Sequence, residues 1–269
     1  MRRLILRPGA IGDCILSFPA LEHLAVEYAE IWVPSPLMPL IKFASVVRSL
    51  ASTGIDKAGV GGLGLSAKLA EHIGSFDSIV SWYGANRPEF RATLVSTGVS
   101  CTFLTALPPV DYSGHATEFF AEQVGADKSA TARIAVAQAS CRGTVVIHPF
   151  SGGKRKNWPL RCYEQVAERL KPRVEWIAGP EEDLERAKRF DDLAYLASWL
   201  RGARLYIGND SGITHLAAAV GVPTLALFGP TDPKVWGPRG ENVTVLHSHT
   251  IDNLAVETVL EAANRLLDS

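Results

Sequence analysis

The feature that most constrains the fold is the segment 205–233, LYIGNDSGITHLAAAVGVPTLALFGPTDP. One apolar run ends in the polar turn 208–212, a helix of small residues follows at once, and a second apolar run ends in the turn 229–232. Two short apolar runs joined by a helix are typical of parallel strands buried on both faces. Ligands bind at the carboxyl ends of such strands. The segment therefore predicts a parallel α/β sheet in which both turns face one ligand, and the ligand carries phosphate.

Strands and helices alternate along the rest of the chain. In the first half, the apolar pattern predicts strands at 3–7, 31–33, 76–84 and 101–106, and helices at 14–28, 87–98 and 115–124. The segment 34–64 is expected to hold one helix and one strand. In the second half, it predicts strands at 144–150, 174–179, 205–208 and 224–229, and helices at 161–171, 182–190, 193–203, directly after Asp210, and at 253–268.

This order predicts two successive domains, each with a parallel sheet. The segment 125–143 has weak periodicity and small residues, which is typical of an interdomain linker. We expect an N-terminal domain over 1–140 and a C-terminal domain over 141–269. The last helix is compatible with packing back on the N-terminal domain.

The composition excludes several classes of protein. Hydrophobic residues make up 47% and charged residues 20%, which indicates a folded globular chain, and the net charge of -1 gives no reason to expect nucleic acid as a partner. The cysteines are too far apart to suggest a metal site or a redox pair, and they are interpreted as core residues of a reducing compartment: Cys14, Cys101, Cys141 and Cys162. We find neither a signal peptide nor an apolar run that could cross a bilayer, so we expect a cytoplasmic protein, compatible with contact with the inner face of the cell membrane.

The loop RPGAIGD at 7–13 is the first candidate site. Gly9 and Gly12 let the backbone approach a ligand closely. Asp13 falls in the first turn of a helix, where a carboxylate commonly caps backbone N–H groups. A catalytic role for Asp13 is the alternative, and the two roles can coexist.

The loop HPFSGGKRKNWP at 148–159 is the second candidate. Ser151 and the two glycines that follow it make a pliable loop rich in N–H donors, and Lys154, Arg155 and Lys156 add three positive charges. Such a run is often a solvated surface, but the flanking glycines favour anion binding. The loop is not a Walker loop, because the Gly-Lys-Ser/Thr ending is absent.

Two further strand ends carry polar residues. The acids of AGPEED at 178–183 are able to hold ribose hydroxyls, although acids are also common in the first turn of a helix. Asp210, Ser211 and Gly212 begin a helix whose free N–H groups suit a phosphate, and Ser211 is equally suited to be a simple cap.

Four aromatic or imidazole side chains near these loops are ambiguous. His148 and His215 are more often hydrogen-bonded structural histidines than ligands or bases. Trp158 and Trp236 are more often packing residues than platforms on which a base stacks.

The motifs together resemble those of glycosyltransferase family 9, the ADP-heptose:lipopolysaccharide heptosyltransferases. The resemblance rests on three stretches in the family's order and spacing, which are LILRPGAIGDCILSFPAL, HPFSGGKRKNWP and LASWLRGARLYIGNDSGITHLAAAVGVPTLALFGPTDPKVWGP. It covers roughly the first 25 residues and most of 144–238. It implies the GT-B fold, in which two facing Rossmann-like domains with parallel sheets enclose an interdomain cleft.

The resemblance also implies an inverting transfer that needs no metal and no cofactor. The donor is a nucleotide-diphospho-sugar, by default ADP-heptose, and the acceptor is a glycan or glycolipid of the cell envelope, such as the lipopolysaccharide core. In this family the motif of the first loop carries the catalytic base, which corresponds to Asp13, and Gly9 and Gly12 lie in the acceptor-side loop.

The donor ligands are implied in the same way. The diphosphate would be held by Ser151, Lys156, Asp210, Ser211 and Gly212, with Lys154 and Arg155 as neighbours that could replace Lys156. Glu181 is the best match to the acid that holds the ribose, with Glu182 as the alternative. Thr231, in the turn 229–232, would shape the nucleoside or sugar edge.

Other functions compete with this interpretation. A GT-B sugar-nucleotide epimerase would need acid and base groups around the donor sugar and would not need Asp13. A non-catalytic nucleotide-sugar-binding protein would keep the donor site alone, and the short first half, without obvious basic residues for a lipid A–inner-core acceptor at 34–109, keeps this alternative open. A Rossmann dehydrogenase is disfavoured, because no Gly-x-Gly-x-x-Gly follows the first strand.

Overall fold

A computed structural model describes residues 1–137 and 143–268. The chain divides into two compact units. The first comprises Met1–Tyr112 and Ala116–Ala130, and the second comprises Ser113–His115 and the chain from Thr131 onwards. The expected boundary between residues 140 and 141 lies outside the described residues, as does Cys141.

The first unit contains a five-stranded parallel sheet with the order β3-β2-β1-β4-β5. The strands are β1 (Arg2–Leu6), β2 (Tyr28–Val33), β3 (Val46–Ser49), β4 (Ser78–Ser81) and β5 (Ser100–Phe103). From β1 the chain builds β2 and β3 on one side and then crosses to β4 on the other. The order in which strands are added therefore reverses between β1 and β4. This is the topological switch point, where ligands bind in open α/β sheets.

Six helices belong to the first unit: α1 (Ile11–Leu16), α2 (Phe18–Leu24), α3 (Leu50–Thr53), α4 (Ala67–Gly74), α5 (Pro88–Val95) and α6 (Ala116–Val124). The single helix predicted at 14–28 was wrong. Two helices meet at Ser17, and Tyr28 already begins strand β2. Pro19 near the start of α2 explains the break, because proline has no N–H to donate to the preceding turn.

The second unit contains a five-stranded parallel sheet with the order β10-β9-β8-β6-β7. The strands are β6 (Val145–His148), β7 (Val174–Trp176), β8 (Leu205–Asn209), β9 (Thr224–Phe228) and β10 (Val243–His247). The sequence did not predict β10, a half-exposed edge strand that is defined by pairing with β9, with Val243 opposite Thr224. The switch point of this sheet lies between β6 and β8.

The helices of the second unit are α7 (Leu160–Arg169), α8 (Leu193–Leu200), α9 (Gly212–Ala219), α10 (Pro233–Trp236) and α11 (Val256–Asp268). Helix α11 packs on α7 and on strands β8 and β9 of its own unit. The helix predicted at 182–190 was wrong, because this segment folds back on strand β7. Its Lys188 N–H donates to the Trp176 carbonyl at 2.8 Å, and its carbonyl accepts from the Ala178 N–H at 3.1 Å.

The central strands form the buried layer of each unit. The expectation of parallel strands buried on both faces is confirmed for β8 and β9, whose residues are all buried. Cys14 is buried, whereas Cys101 and Cys162 are half-buried, and these three are free thiols. Within the described part of the chain, no helix has the length and apolar character that a membrane crossing requires.

Candidate functional site

The switch point of the second unit carries most of the residues predicted for a phosphate site. The loop after β6 contains Ser151 and Lys156, and the turn after β8 contains Asp210 and Ser211. Strands β6 and β8 are direct neighbours, with His148 opposite Gly208. The two loops therefore leave the sheet side by side, at the edge where the topology predicts a ligand.

An ion pair joins these two loops. The Lys156 Nζ lies 2.7 Å from the Asp210 Oδ2. The Asp210 side chain is only 8% exposed, whereas Lys156 is 37% exposed. The pair holds the ammonium group of Lys156 at the switch point. A carboxylate repels a phosphate, so Asp210 would contribute through Lys156, and its predicted role in binding the diphosphate stays a prediction.

Asn209 fixes both loops, and it was not among the predicted site residues. Asn209 is fully buried at the end of β8. Its Oδ1 accepts hydrogen bonds from the Trp158 N–H at 3.0 Å and the Tyr163 hydroxyl at 2.8 Å, and its Nδ2 donates to the Pro149 carbonyl at 2.8 Å. An asparagine directly before Asp210 was the available signal, because a polar residue at the end of an apolar strand needs buried partners.

Ser211 and Gly212 form the start of helix α9. The Ser211 Oγ accepts from the Thr214 N–H at 3.4 Å, so the capping role that was left open for Ser211 is present in the structure. Thr214 is itself held by its Oγ1, which lies 3.2 Å from the Tyr206 hydroxyl. The first N–H groups of a helix lack intrahelical acceptors, which makes this half-buried turn suited to an anion.

Ser151 makes hydrogen bonds within the loop after β6. The Ser151 hydroxyl lies 2.8 Å from the Asn157 Oδ1 and 3.1 Å from the Gly153 carbonyl. Ser151 therefore shapes the loop, and it reaches a ligand only by exchanging these partners. The neighbouring side chains of Lys154 and Arg155 are exposed.

The structure distinguishes the two candidate ribose acids. The Glu182 Oε2 accepts from the Gly179 N–H at 2.5 Å and lies 3.0 Å from the His148 Nε2. Burial raises the pKa of Glu182, but the hydrogen bonds to His148 and Gly179 and the charges of His148 and Arg189 outweigh it, so the pKa is lowered. Glu181 is exposed, and its role as a ribose ligand stays a prediction.

His215 lies in the first turn of α9, close enough to Asp210 and Lys156 to feel their charges. It is buried in α9, and burial lowers its pKa to about 4, a shift that the Asp210 charge opposes and the charges of His115 and Lys156 reinforce. Its Nδ1 has no hydrogen-bond partner among the described residues, and the same holds for His148 Nδ1. His215 is therefore a buried, neutral imidazole at neutral pH.

The remaining candidates of this unit are packing or capping residues. Trp158 is buried, and its Nε1 donates to the Leu254 carbonyl at 3.0 Å. Trp236 is half-buried at the end of α10. Thr231 is half-buried in the turn 229–232 that follows β9, and the next residue, Asp232, caps α10 by accepting from the Lys234 N–H. The predicted role of Thr231 at the nucleoside or sugar edge stays a prediction.

The switch point of the first unit carries the predicted base. Gly9 adopts a φ of +134°, which favours glycine, and this allows the tight turn after β1. Gly12 is buried and Asp13 is half-buried in the first turn of α1. The Asp13 Oδ2 accepts from the Ala10 N–H at the long distance of 3.4 Å, so a weak capping contact exists beside any catalytic role.

Arg7, which was not among the predicted site residues, lies fully buried beneath this turn. Its Nη1 and Nη2 donate to the carbonyls of Pro8 at 2.7 Å and Asp13 at 2.8 Å, and its Nε donates to the Ser17 hydroxyl at 2.9 Å. Burial lowers the pKa of Arg7, and electrostatic interactions with Cys14 and Asp13 oppose that shift. Arg7 therefore fixes both ends of the turn that carries Asp13. An arginine at the end of an apolar strand was the signal for it.

The same burial acts on the neighbouring thiol, since it raises the pKa of Cys14 to about 11. Cys14 is consequently a neutral thiol at physiological pH. Among the described residues, no group of three or more histidine, cysteine, aspartate or glutamate side chains is arranged to hold a metal ion.

Comparison with known proteins assigns the chain to one family. The family described as glycosyltransferase family 9 (heptosyltransferase) matches residues 99–261, which is more than half of the chain. The chain belongs to this family. The match includes the loop after β6, the turn after β8 and the turn after β9.

A curated heptosyltransferase is similar to this chain over a shorter region. Lipopolysaccharide heptosyltransferase 1 of Pseudomonas aeruginosa is 37% identical over 110 residues, which covers 35% of this chain and 30% of the relative. The corresponding Escherichia coli enzyme is matched over 40% of its length. The chain thus aligns with less than half of the length of these curated relatives.

Solved structures extend the likeness to the whole fold. E. coli ADP-heptose lps heptosyltransferase II has a TM-score of 0.76 at 17% identity, with 99% of this chain and 98% of that chain covered. E. coli heptosyltransferase WaaC with ADP has a TM-score of 0.69 at 18% identity, with 99% and 100% covered. At this identity the likeness shows the fold, which confirms the predicted GT-B class.

Proposed function

We propose that the chain is an inverting glycosyltransferase that needs no metal and moves a sugar from a nucleotide-diphospho-sugar to a glycan or glycolipid of the cell envelope. The default donor is ADP-heptose and the default acceptor is the lipopolysaccharide core. The observation that carries the proposal is the Lys156–Asp210 pair beside the start of α9, at the switch point of the second unit. Family membership and a neighbour that is described with ADP support it.

The donor diphosphate would be held by groups of the second unit. The ammonium of Lys156 is half-exposed and lies beside the first turn of α9, so it is able to turn from Asp210 towards a phosphate oxygen. The N–H groups around Ser211 and Gly212 offer further donors. The leaving nucleoside diphosphate develops negative charge as the bond to the sugar breaks, and these groups would stabilise that charge. Glu181 would accept from the ribose hydroxyls, and Thr231 would line the nucleoside or sugar edge.

Asp13 would act as the general base of the transfer. Its carboxylate takes the proton of the acceptor hydroxyl, the acceptor oxygen attacks the anomeric carbon, and the bond from that carbon to the diphosphate oxygen breaks. The products are the new glycoside, the free nucleoside diphosphate and a protonated Asp13. Arg7 would keep the carboxylate in place through the hydrogen bonds to Asp13 and Pro8 carbonyls.

Mass spectrometry of a transfer reaction tests this function. The purified chain is incubated with ADP-heptose and a lipopolysaccharide core that lacks heptose. We expect one added heptose, and we expect Asp13→Asn to lower turnover by about 10²- to 10⁴-fold, because general-base catalysis contributes about that much. ADP affinity should change by less than about twofold, since Asp13 belongs to the other unit.

The outcomes separate the alternatives. Unchanged turnover in Asp13→Asn would refute the assignment of the base. Binding of ADP without transfer to any envelope acceptor would favour the non-catalytic nucleotide-sugar-binding protein. Interconversion of the donor sugar without an acceptor would favour the epimerase.

Chelation tests the metal-free mechanism separately. We expect turnover to survive an excess of EDTA, because Lys156 and backbone N–H groups would meet the charge of the leaving group. A complete loss of turnover that added Mg²⁺ restores would contradict this part of the proposal.

A further inference from the structure

The three cationic side chains of the loop after β6 have different surroundings. Lys156 is paired with Asp210. Lys154 and Arg155 are exposed, and the described residues include no hydrogen-bond or ion-pair partner for either side chain. Three neighbouring cations repel one another, and only one of them is neutralised within the part of the chain that the structure describes. Two cations therefore remain available to an anion at this place.

These two cations line a cavity, and the proposed function assigns none of its lining residues to the donor. The cavity has a volume of about 240 Å³, and we call it the Lys154 pocket. Its lining comprises Lys154, Arg155, Asn157, Pro230 and the residues 249–252 that follow strand β10. It thus lies on the β9 and β10 side of the loop, whereas Lys156 is held towards the turn after β8.

The walls of the pocket are held by the fold. Gly229 permits close packing, because a Cβ there would lie 3.0 Å from the Ile251 Cβ and 3.5 Å from the Arg155 carbonyl. The ends of β9 and β10 are tied by a bond between the His247 Nε2 and the Gly229 carbonyl at 3.0 Å. Asn157, on the opposite wall, is held by Ser151. The pocket is therefore a formed cavity rather than a gap between loose side chains.

The lining combines cationic, anionic and hydroxyl side chains, and this combination indicates the class of ligand. Lys154 and Arg155 suit a phosphate, since arginine offers a fork of N–H donors and lysine a point charge. Asp252 also lines the pocket and would repel a bare anion, but a carboxylate accepts hydrogen bonds from sugar hydroxyls. The Thr250 hydroxyl adds a group that both donates and accepts. The volume is below that of sites for drug-sized ligands, which are about 300 Å³ or more.

We propose that the Lys154 pocket binds a single phosphorylated sugar, with Lys154 and Arg155 on the phosphate and Asp252 and Thr250 on the sugar hydroxyls. This inference rests on the proposed function, because a phosphorylated unit of the acceptor glycan is one source of such a group. A free sugar phosphate is the other source. The pocket would then select acceptors, or sense a sugar phosphate, beside the donor site.

Calorimetry with glucose 6-phosphate tests the inference. The titration is made into the full chain that is saturated with ADP, so that the proposed diphosphate site is filled. We expect one binding site, an affinity at least about tenfold lower in the double variant Lys154→Ala/Arg155→Ala, and an ADP affinity in that variant within about twofold of the original. The variant Lys171→Ala/Arg201→Ala, which removes two exposed charges elsewhere in the unit, should bind as the unmodified chain does.

A second variant separates sugar recognition from charge. Asp252→Asn should weaken glucose 6-phosphate about fivefold or more and should strengthen inorganic phosphate, because it removes a negative charge from the lining. Unmodified protein should bind inorganic phosphate and glucose each about tenfold more weakly than glucose 6-phosphate. Inorganic phosphate that binds as tightly as glucose 6-phosphate would overturn the assignment of a sugar.

Three other results would overturn the inference. These are no binding of glucose 6-phosphate, an equal loss in the control double variant, and displacement of glucose 6-phosphate by ADP. The proposed function is tested separately, by ADP binding and heptose transfer. If ADP does not bind, glucose 6-phosphate is titrated into the chain without ADP. A dephosphorylated lipopolysaccharide core then distinguishes the sources, since slower transfer to it than to the phosphorylated core indicates the acceptor, and equal transfer indicates a free sugar phosphate.

Discussion

The two units carry similar five-stranded sheets, but they hold their candidate residues by different means. In the first unit, one fully buried cation, Arg7, binds the backbone carbonyls on both sides of the turn that carries Asp13. In the second unit, side chains of neighbouring loops bind one another, as in the Lys156–Asp210 pair and the contacts of Asn209. Both arrangements lie at a switch point of their sheet.

Arg7 has fixed hydrogen-bond partners, whereas Lys156 has an ion-pair partner that can be exchanged. Arg7 cannot leave its carbonyl acceptors without exposing them unpaired in the protein interior, so its contribution is positional. Lys156 is half-exposed and has a carboxylate partner that an anionic ligand is able to replace. The first unit thus presents a carboxylate on a rigid turn, and the second presents a half-exposed cation, to which the proposed function assigns the donor diphosphate.

The largest effect should come from removing Arg7. We expect Arg7→Met to lower the free energy of unfolding by about 4 kcal/mol, because it leaves several buried hydrogen-bond acceptors without a donor. Urea denaturation measures this. Arg2→Met, at the exposed start of the same strand, should cost less than about 1 kcal/mol. Equal costs for both variants would mean that Arg7 does not fix the turn.

The buried His215 should make the second unit sensitive to acid. Its pKa is about 4 in the fold and 6.5 in the reference state, so protons bind the unfolded chain more tightly. Its contribution to stability is complete above about pH 6.5 and is lost as the pH falls towards 4, and it amounts to about 3 kcal/mol. We expect His215→Gln to flatten the decrease in unfolding free energy between pH 6.5 and 4. An unchanged pH profile would show that His215 does not titrate in this way.

Removing Asn209 should have a smaller but specific effect. Asn209→Ala leaves the Tyr163 hydroxyl and the Pro149 carbonyl without their partner, and we expect a loss of about 2 kcal/mol in unfolding free energy. Asn242→Ala, at an exposed position before β10, serves as the control and should be nearly neutral. If Asn209→Ala is equally neutral, the loops of the second unit are held by other contacts.

Sequence patterns predicted some elements and missed others for a physical reason. Segment 205–233 predicted β8, α9 and β9 because continuous apolar runs and small residues indicate buried strands and a close-packed helix. Strand β10 and the irregular segment 182–190 depend on pairing with distant parts of the chain, which local periodicity does not record. In the first unit, the break at Ser17 was visible in Pro19 but was not used.

The candidate site was predicted in part. Motifs located the loops of Asp13, Lys156 and Asp210, since glycines and charges after apolar runs are local features of the sequence. The Lys156–Asp210 pair joins residues 54 positions apart, and the hydrogen bonds of Asn209 and Arg7 depend on the folded topology. Such contacts could be deduced only after the strand order was known.

Lys156 is proposed to bind the diphosphate of the donor at the switch point of the second unit. The most direct test of this binding is calorimetric titration of ADP and adenosine into the unmodified chain, Lys156→Ala and the control Lys171→Ala. We predict that Lys156→Ala lowers ADP affinity by about 10- to 100-fold, because a charge-assisted hydrogen bond to phosphate is lost, and leaves adenosine affinity within about twofold. An equal loss for ADP and adenosine, or no loss for ADP, would contradict the account.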